Sequence, residues 1–146
     1  MTISKGAALL EYGSQTTVIS DTSAIADGGF NAGTVTALVQ TDYAPLGDAV
    51  LNVTMAVAPA AQAAIHLYRR DMNIDGTNDA PQPDQNFKSI YVGSFLLDLV
   101  TSAQYISLPD IPLTIDQEFY IENDSGQTTT GTTTLKITPK SYNVKA

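Results

Sequence analysis

Apolar and polar residues alternate with a period of two through most of this chain, which predicts strands rather than helices. From Gly33, residues Val35, Ala37 and Val39 fall on one face, with Thr34, Thr36 and Gln40 mostly opposite, until Tyr43, Ala44 and Pro45 end the run. The next strand turns Leu51, Val53, Met55 and Val57 inward and Asn52, Thr54 and Ala56 outward, and Pro59 breaks it. Residues 58–62 predict a hairpin connection, with a single helical turn as the alternative. Ile65 and Leu67 then resume the inward face, leaving His66, Tyr68 and Arg70 on the other.

A polar loop follows over residues 71–86, where Gly76, Pro81 and Pro83 forbid a regular element. Loops of this length in a compact domain are usually functional or contact surfaces, and this one is expected to cross between sheets. It feeds residues 87–98, apolar on both faces, with Tyr91, Phe95 and Leu97 one way and Ile90, Val92 and Leu96 the other. That pattern predicts a central strand covered on both sides. Tyr105, Ile106 and Leu108 predict a short strand closed by Pro109, Asp110, Ile111 and Pro112. Over residues 114–123, Ile115, Phe119 and Ile121 are expected inward, and Asp116, Glu118 and Glu122 towards water.

Residues 124–126 read as a turn and the run TTTGTTT over 128–134 as a mobile hairpin tip. Leu135, Ile137, Tyr142 and Val144 supply a last strand, or a strand pair interrupted at Pro139. Seven to nine short strands with turns at intervals of about ten residues predict an all-β fold, an antiparallel β-sandwich of jelly-roll type. Residues 1–32, rich in small and polar side chains with a short apolar segment at Val18 and Ile19, read as an N-terminal arm or loosely attached first strand. Residues 33–146 would form the sandwich domain.

Composition narrows the function. The net charge of −8 opposes binding to nucleic-acid phosphates unless a local basic patch exists. The one basic cluster, Lys136, Lys140 and Lys145, lies in a stretch without an acid after Asp124 and reads as solvated lysines guarding a sheet edge. With no cysteine, disulfides and zinc–thiolate sites are excluded. No apolar run approaches the roughly 20 residues of a membrane-spanning helix. The glycosylation patterns at Asn52 and Asn123 read as chance, since Ala7 to Leu10 is too short for a secretory signal core.

Candidate chemistry is confined to a few places. Asp71, Asn73, Asp75 and Gly76 imitate the opening of a calcium loop, with Asp79 as a further ligand candidate, but Gln82 stands where a bidentate Glu belongs. Asn and Asp are also turn formers, which accounts for the same residues without a metal. Tyr68, Tyr91, Tyr105 and Tyr120 offer a sugar-stacking face, although partly buried tyrosines with hydroxyls at the rim would give the same pattern. His66, the one histidine, has no motif around a serine nucleophile, and no carboxylate pair sits in a catalytic context. No enzyme and no cofactor are expected.

The segments IHLYRRDMNIDGTNDAPQPDQNFKSIYVGSFLLD, SAQYISLPDIPLT and EFYIENDSG resemble small structural proteins of tailed-bacteriophage virions, over roughly residues 50–126. The resemblance implies a capsid decoration or cement protein: a β-sandwich on the capsid exterior, made in the host bacterial cytoplasm. Its partners would be the major capsid protein and neighbouring virion subunits, in a homo-oligomer with a trimer favoured, and neither nucleic acid nor membrane. Residues 2–32 and 71–86 are the expected contacts. The alternative is a glycan- or host-receptor-binding module of a phage particle, supported by the tyrosines; a tail-tube or neck component shares the same composition.

Overall fold

The computed structural model describes residues 8–144. Its strands are β1 (Ala8–Tyr12), β2 (Thr16–Asp21), β3 (Thr34–Val35), β4 (Leu38–Val39), β5 (Leu46–Met55), β6 (Ala64–Asp71), β7 (Ile90–Leu96), β8 (Gln104–Pro112), β9 (Asp116–Asp124) and β10 (Thr129–Val144). They form two wholly antiparallel sheets, one ordered β3-β2-β10-β5-β8 with β1 also paired to β10, the other β4-β9-β6-β7. The sheets pack face to face as a β-sandwich. No helix occurs among the described residues.

The core lies between the sheets and follows the period-two pattern. Leu51, Val53 and Met55 of β5, Leu135 and Ile137 of β10, and Val18 and Ile19 of β2 meet Ile65 and Leu67 of β6, Phe95 of β7, and Phe119 and Ile121 of β9. Each large apolar side chain removed from water contributes about 1.5–3 kcal/mol, and this interior is the main source of cohesion in a chain without disulfides.

Several expectations are corrected. Residues 16–32, expected as part of an arm or a loosely attached first strand, contribute a strand that is firmly packed: Val18 and Ile19 are fully buried and Ile25 nearly so. Asp21, also buried, accepts the Ser23 and Ala32 amides at 2.8 Å each and ties this excursion down. Residues 33–40 are no single strand. β3 pairs with β2 and β4 with β9, so the segment steps from one sheet to the other. The step starts where Gly33 presses on β2, since a Cβ there would lie 2.4 Å from Asp21 Cα.

The 58–62 connection also changes sheet, because β5 and β6 belong to different ones. The long loop does the reverse. β6 and β7 are neighbours in one sheet, so it closes a hairpin instead of crossing. β7 is an edge strand with Leu96 65% exposed; its apolar outer face has no second layer, which a two-faced apolar run cannot reveal. Val57, expected inward, is exposed beyond the end of β5.

The threonine run is no hairpin tip. It opens the 16-residue β10, with Thr129 and Thr133 buried, because β-branched side chains suit a pleated sheet whatever their polarity. Gly131, at φ +68°, sits in the bulge where the β10–β5 register shifts between Thr130 and Thr134. Nor does Pro139 interrupt this strand: its carbonyl accepts the Gly13 amide at 2.7 Å while the register with β5 continues.

Candidate functional site

Antiparallel register on β6 and β9 places two rows of polar side chains on the outer face of the smaller sheet. Arg70 lies opposite Glu118, Tyr68 opposite Tyr120 and His66 opposite Glu122. Directly opposed and diagonal neighbours are within reach of long side chains, and each carboxylate finds a partner. Arg70 Nη2 meets Glu118 Oε2 at 2.6 Å, and Tyr120 donates its hydroxyl to the same oxygen at 2.5 Å. Tyr68 donates diagonally to Glu122 Oε2 at 3.0 Å, and Lys88 Nζ caps Oε1 at 2.5 Å.

Glu118 and Glu122 therefore do not face open water as expected, and Glu122 is only 4% exposed. Phe30 bridges to Glu122 from the sheet edge and packs its ring 5.7 Å from that of Tyr68, which meets Tyr91 edge-on at 5.8 Å. Burial and then the adjacent carboxylate push the Tyr68 hydroxyl up to about 12. Tyr120 shifts upward for the same two reasons. Burial alone would lower the Arg70 pKa, but the hydrogen bond to Glu118 holds it above its ordinary value.

At the end of the row, Tyr91 and Ser94 share a hydrogen bond of 2.6 Å, Ser94 Oγ meets His66 Nδ1 at 2.7 Å, and His66 Nε2 meets Asp124 Oδ2 at 3.1 Å. Serine, histidine and aspartate thus come together from β7, β6 and β9. No local motif announces this chain of contacts, since its members are 28 and 58 residues apart. Of the four tyrosines considered for stacking, Tyr68 and Tyr120 are buried, Tyr91 is exposed beside them, and Tyr105 is exposed on the other sheet. They do not form one platform.

The calcium-like residues turn onto their own loop. Asp75 accepts the amides of Asn78 and Thr77 and the Asn78 side chain, which together hold its carboxyl down to about 2. Asp79 accepts the Asn73 amide at 3.0 Å, and Asn73 donates its side chain to Asp116 at 2.6 Å. Asp71 Oδ1 forms an ion pair with Arg69 Nε at 3.1 Å and accepts the Thr114 hydroxyl at 3.3 Å. No group of three or more metal-ligating side chains converges among the described residues. Asp84 accepts the Asn86 and Phe87 amides, closing a second turn that presents the half-exposed Phe87 ring.

Beside the loop lies a groove whose apolar lining is Val39, Tyr43, Ile74 and Ile115, each more than half exposed, with Asp71 and Asp116 in its wall. Ile115 was expected inward, but it precedes the first residue of β9, where the opposing sheet no longer covers that face. The available signal was an isoleucine standing alone between turn-forming polar residues, as in Asn73-Ile74-Asp75. No protein-family model matches the chain, and neither does any curated protein.

Proposed function

We propose that this protein is a non-enzymatic virion structural component that decorates or cements the outer surface of a bacteriophage capsid, with the major capsid protein as its principal partner. The observation carrying this reading is the 72–89 loop, held in one shape by its own carboxylates so that Phe87 is presented from a closed turn. A loop ordered before contact loses little entropy on docking, and many copies on a shell multiply a weak contact.

The strand order supports the jelly-roll form of the sandwich. β2-β10-β5-β8 faces β4-β9-β6-β7, and successive strands from β4 onward change sheet except at the β6–β7 hairpin, as two interleaved Greek keys require. The resemblance of residues 50–126 to phage virion proteins points the same way.

The test is to mix purified protein with shells that lack it, sediment them and image the occupied lattice. Saturable binding with loop density against the shell, lost in Phe87→Asp, is expected; no binding by the unaltered protein overturns the assignment. Labelling of Ser94 by a serine-directed fluorophosphonate would overturn the non-enzymatic part. The alternative of a glycan- or receptor-binding module rests on the exposed Tyr91, and a hit on a glycan array abolished by Tyr91→Ala would favour it.

A further inference from the structure

His66 is the one histidine of the chain, and its ring stands in a line of contacts that runs from Asp124 to the exposed Tyr91. Donor and acceptor chemistry fixes the direction of each proton along it. Asp124, as a carboxylate, only accepts, so Nε2 at 3.1 Å must carry the ring proton; a bare Nε2 would set its lone pair against a carboxylate oxygen. Nδ1 of the neutral ring is then bare and accepts the Ser94 hydroxyl at 2.7 Å. With its single proton used, Ser94 Oγ can only accept from Tyr91, whose hydroxyl proton is turned inward across 2.6 Å.

A second proton on the imidazole reverses the line. Histidine is the side chain that changes charge between about pH 5 and 8. Once charged, the ring donates from Nδ1 to Ser94 Oγ. That oxygen has no third partner among the described residues, so the serine proton passes to Tyr91 Oη, and Tyr91, 56% exposed, turns its own proton outward. We propose that this line is a proton-operated switch of the surface, in which Tyr91 offers partners an acceptor at neutral pH and a donor in mild acid. A docking surface that meets Tyr91 with a carboxylate or carbonyl oxygen is favoured in acid, and one that meets it with an N–H at neutral pH. The other titratable groups beside the ring are Glu122, directly opposite on β9, Tyr68 on β6, and Lys88 from the loop before β7. Glu122 is already matched by Lys88 and the Tyr68 hydroxyl, which leaves Asp124 as the carboxylate in contact with His66. The inference concerns the free protein and does not rest on shell binding.

The experiment uses the full chain in solution, with nitrogen-15 in the histidine ring and carbon-13 at tyrosine Cζ, followed by NMR from about pH 8.5 to 5.5. A single imidazole reports, and Tyr91→Phe identifies the Tyr91 resonance. At the alkaline end the His66 nitrogens should show the proton on Nε2; a proton on Nδ1 overturns the proposal without any variant being made. On acidification the Tyr91 Cζ shift should move with the same midpoint as the His66 ring, while Tyr105 on the larger sheet stays still. Ser94→Ala should leave the His66 titration in place and abolish the Tyr91 response. The two rings meet edge-on at 6.0 Å, so a charge felt merely through space would still move Tyr91 in Ser94→Ala. That result, or a Tyr91 shift that ignores the His66 midpoint in the unaltered protein, overturns the proposal.

Discussion

Tyr68 donates its hydroxyl to Glu122 Oε2 across 3.0 Å, from the neighbouring strand and with its ring steeply inclined to that of Tyr91. Replacing Tyr68 by Phe leaves a buried carboxylate with Lys88 as its remaining charged partner. A hydrogen bond to a charged group is worth about 1.5–3 kcal/mol, so Tyr68→Phe should lose that much in urea unfolding.

The same pair sets an alkaline limit. Folded Tyr68 keeps its proton to about 12, against 10.0 in the unfolded chain. Between those values the unfolded chain has released a proton that the folded one retains, so this contribution is complete below pH 10 and is lost as pH rises towards 12. Tyr120 shifts in the same direction. Absorbance titration at alkaline pH should show a late tyrosinate phase coincident with unfolding, and it should shrink in Tyr68→Phe and Tyr120→Phe.

Asp75 behaves oppositely, on a local scale. Its carboxyl is held at about 2 rather than 3.8 by amides of its own loop, so the stabilisation is present above pH 3.8 and fades as pH falls towards 2. Asp75→Asn should accelerate hydrogen exchange at Thr77 and Asn78 while leaving the global unfolding midpoint unchanged. A calcium titration followed by calorimetry should register no heat at this loop, where Asp75 and Asp79 accept amides of their own turn and no three ligating side chains converge among the described residues.

On the larger sheet, Lys140 of β10 bridges Asp48 of β5 and Asp110 of β8 at 2.5 and 2.6 Å, and its side chain is 7% exposed. The two carboxylates, Asp110 first, raise its pKa; burial would raise that of Asp48, but Lys140 lowers it. Lys140→Met would leave two acids side by side on adjacent strands. The expected cost is about 1–3 kcal/mol, less than for a fully enclosed pair because Asp110 is largely solvated. Stability should recover partly in Lys140→Met with Asp48→Asn, as thermal melts of the double variant would show.

Deleting residues 1–32 should abolish cooperative unfolding, because Val18, Ile19 and Ile25 leave the core with them. Gly33→Ala tests the same junction more gently: the added Cβ would press on the Asp21 backbone and force β2 and β3 apart. A lowered melting temperature is expected, larger than for Gly93→Ala, whose Cβ meets only the movable end of Leu108.

The inner strands were legible because alternation reports burial directly: Leu51, Val53, Met55, Ile65, Leu67, Phe119 and Ile121 all lie where parity puts them. Parity cannot tell which sheet a strand joins, so nothing in the alternation over residues 33–40 or the turn signal at 58–62 marks the change of sheet at each. It also treats every outward position as wet. Glu122 was assigned to solvent because nothing in its neighbourhood announces that Phe30, Tyr68 and Lys88 will gather over it. Of the candidate site, the loop and its turn-forming role for Asp75 and Asp79 were readable, whereas the Ser94, His66 and Asp124 contacts and the groove depend on long-range folding.

β10 pairs with β1 and β2 along one side and with β5 along the other. The earliest strands of the chain and a strand from its middle therefore wait for residues 129–144 before the larger sheet exists. Chain emerging from a ribosome would hold β2 and β5 with open edges through most of synthesis, and such edges invite pairing with neighbouring chains. Closure by so distant a strand makes for slow folding. A protein built this way becomes itself late and all at once, and its yield in the cell should depend on how well those waiting edges are kept apart.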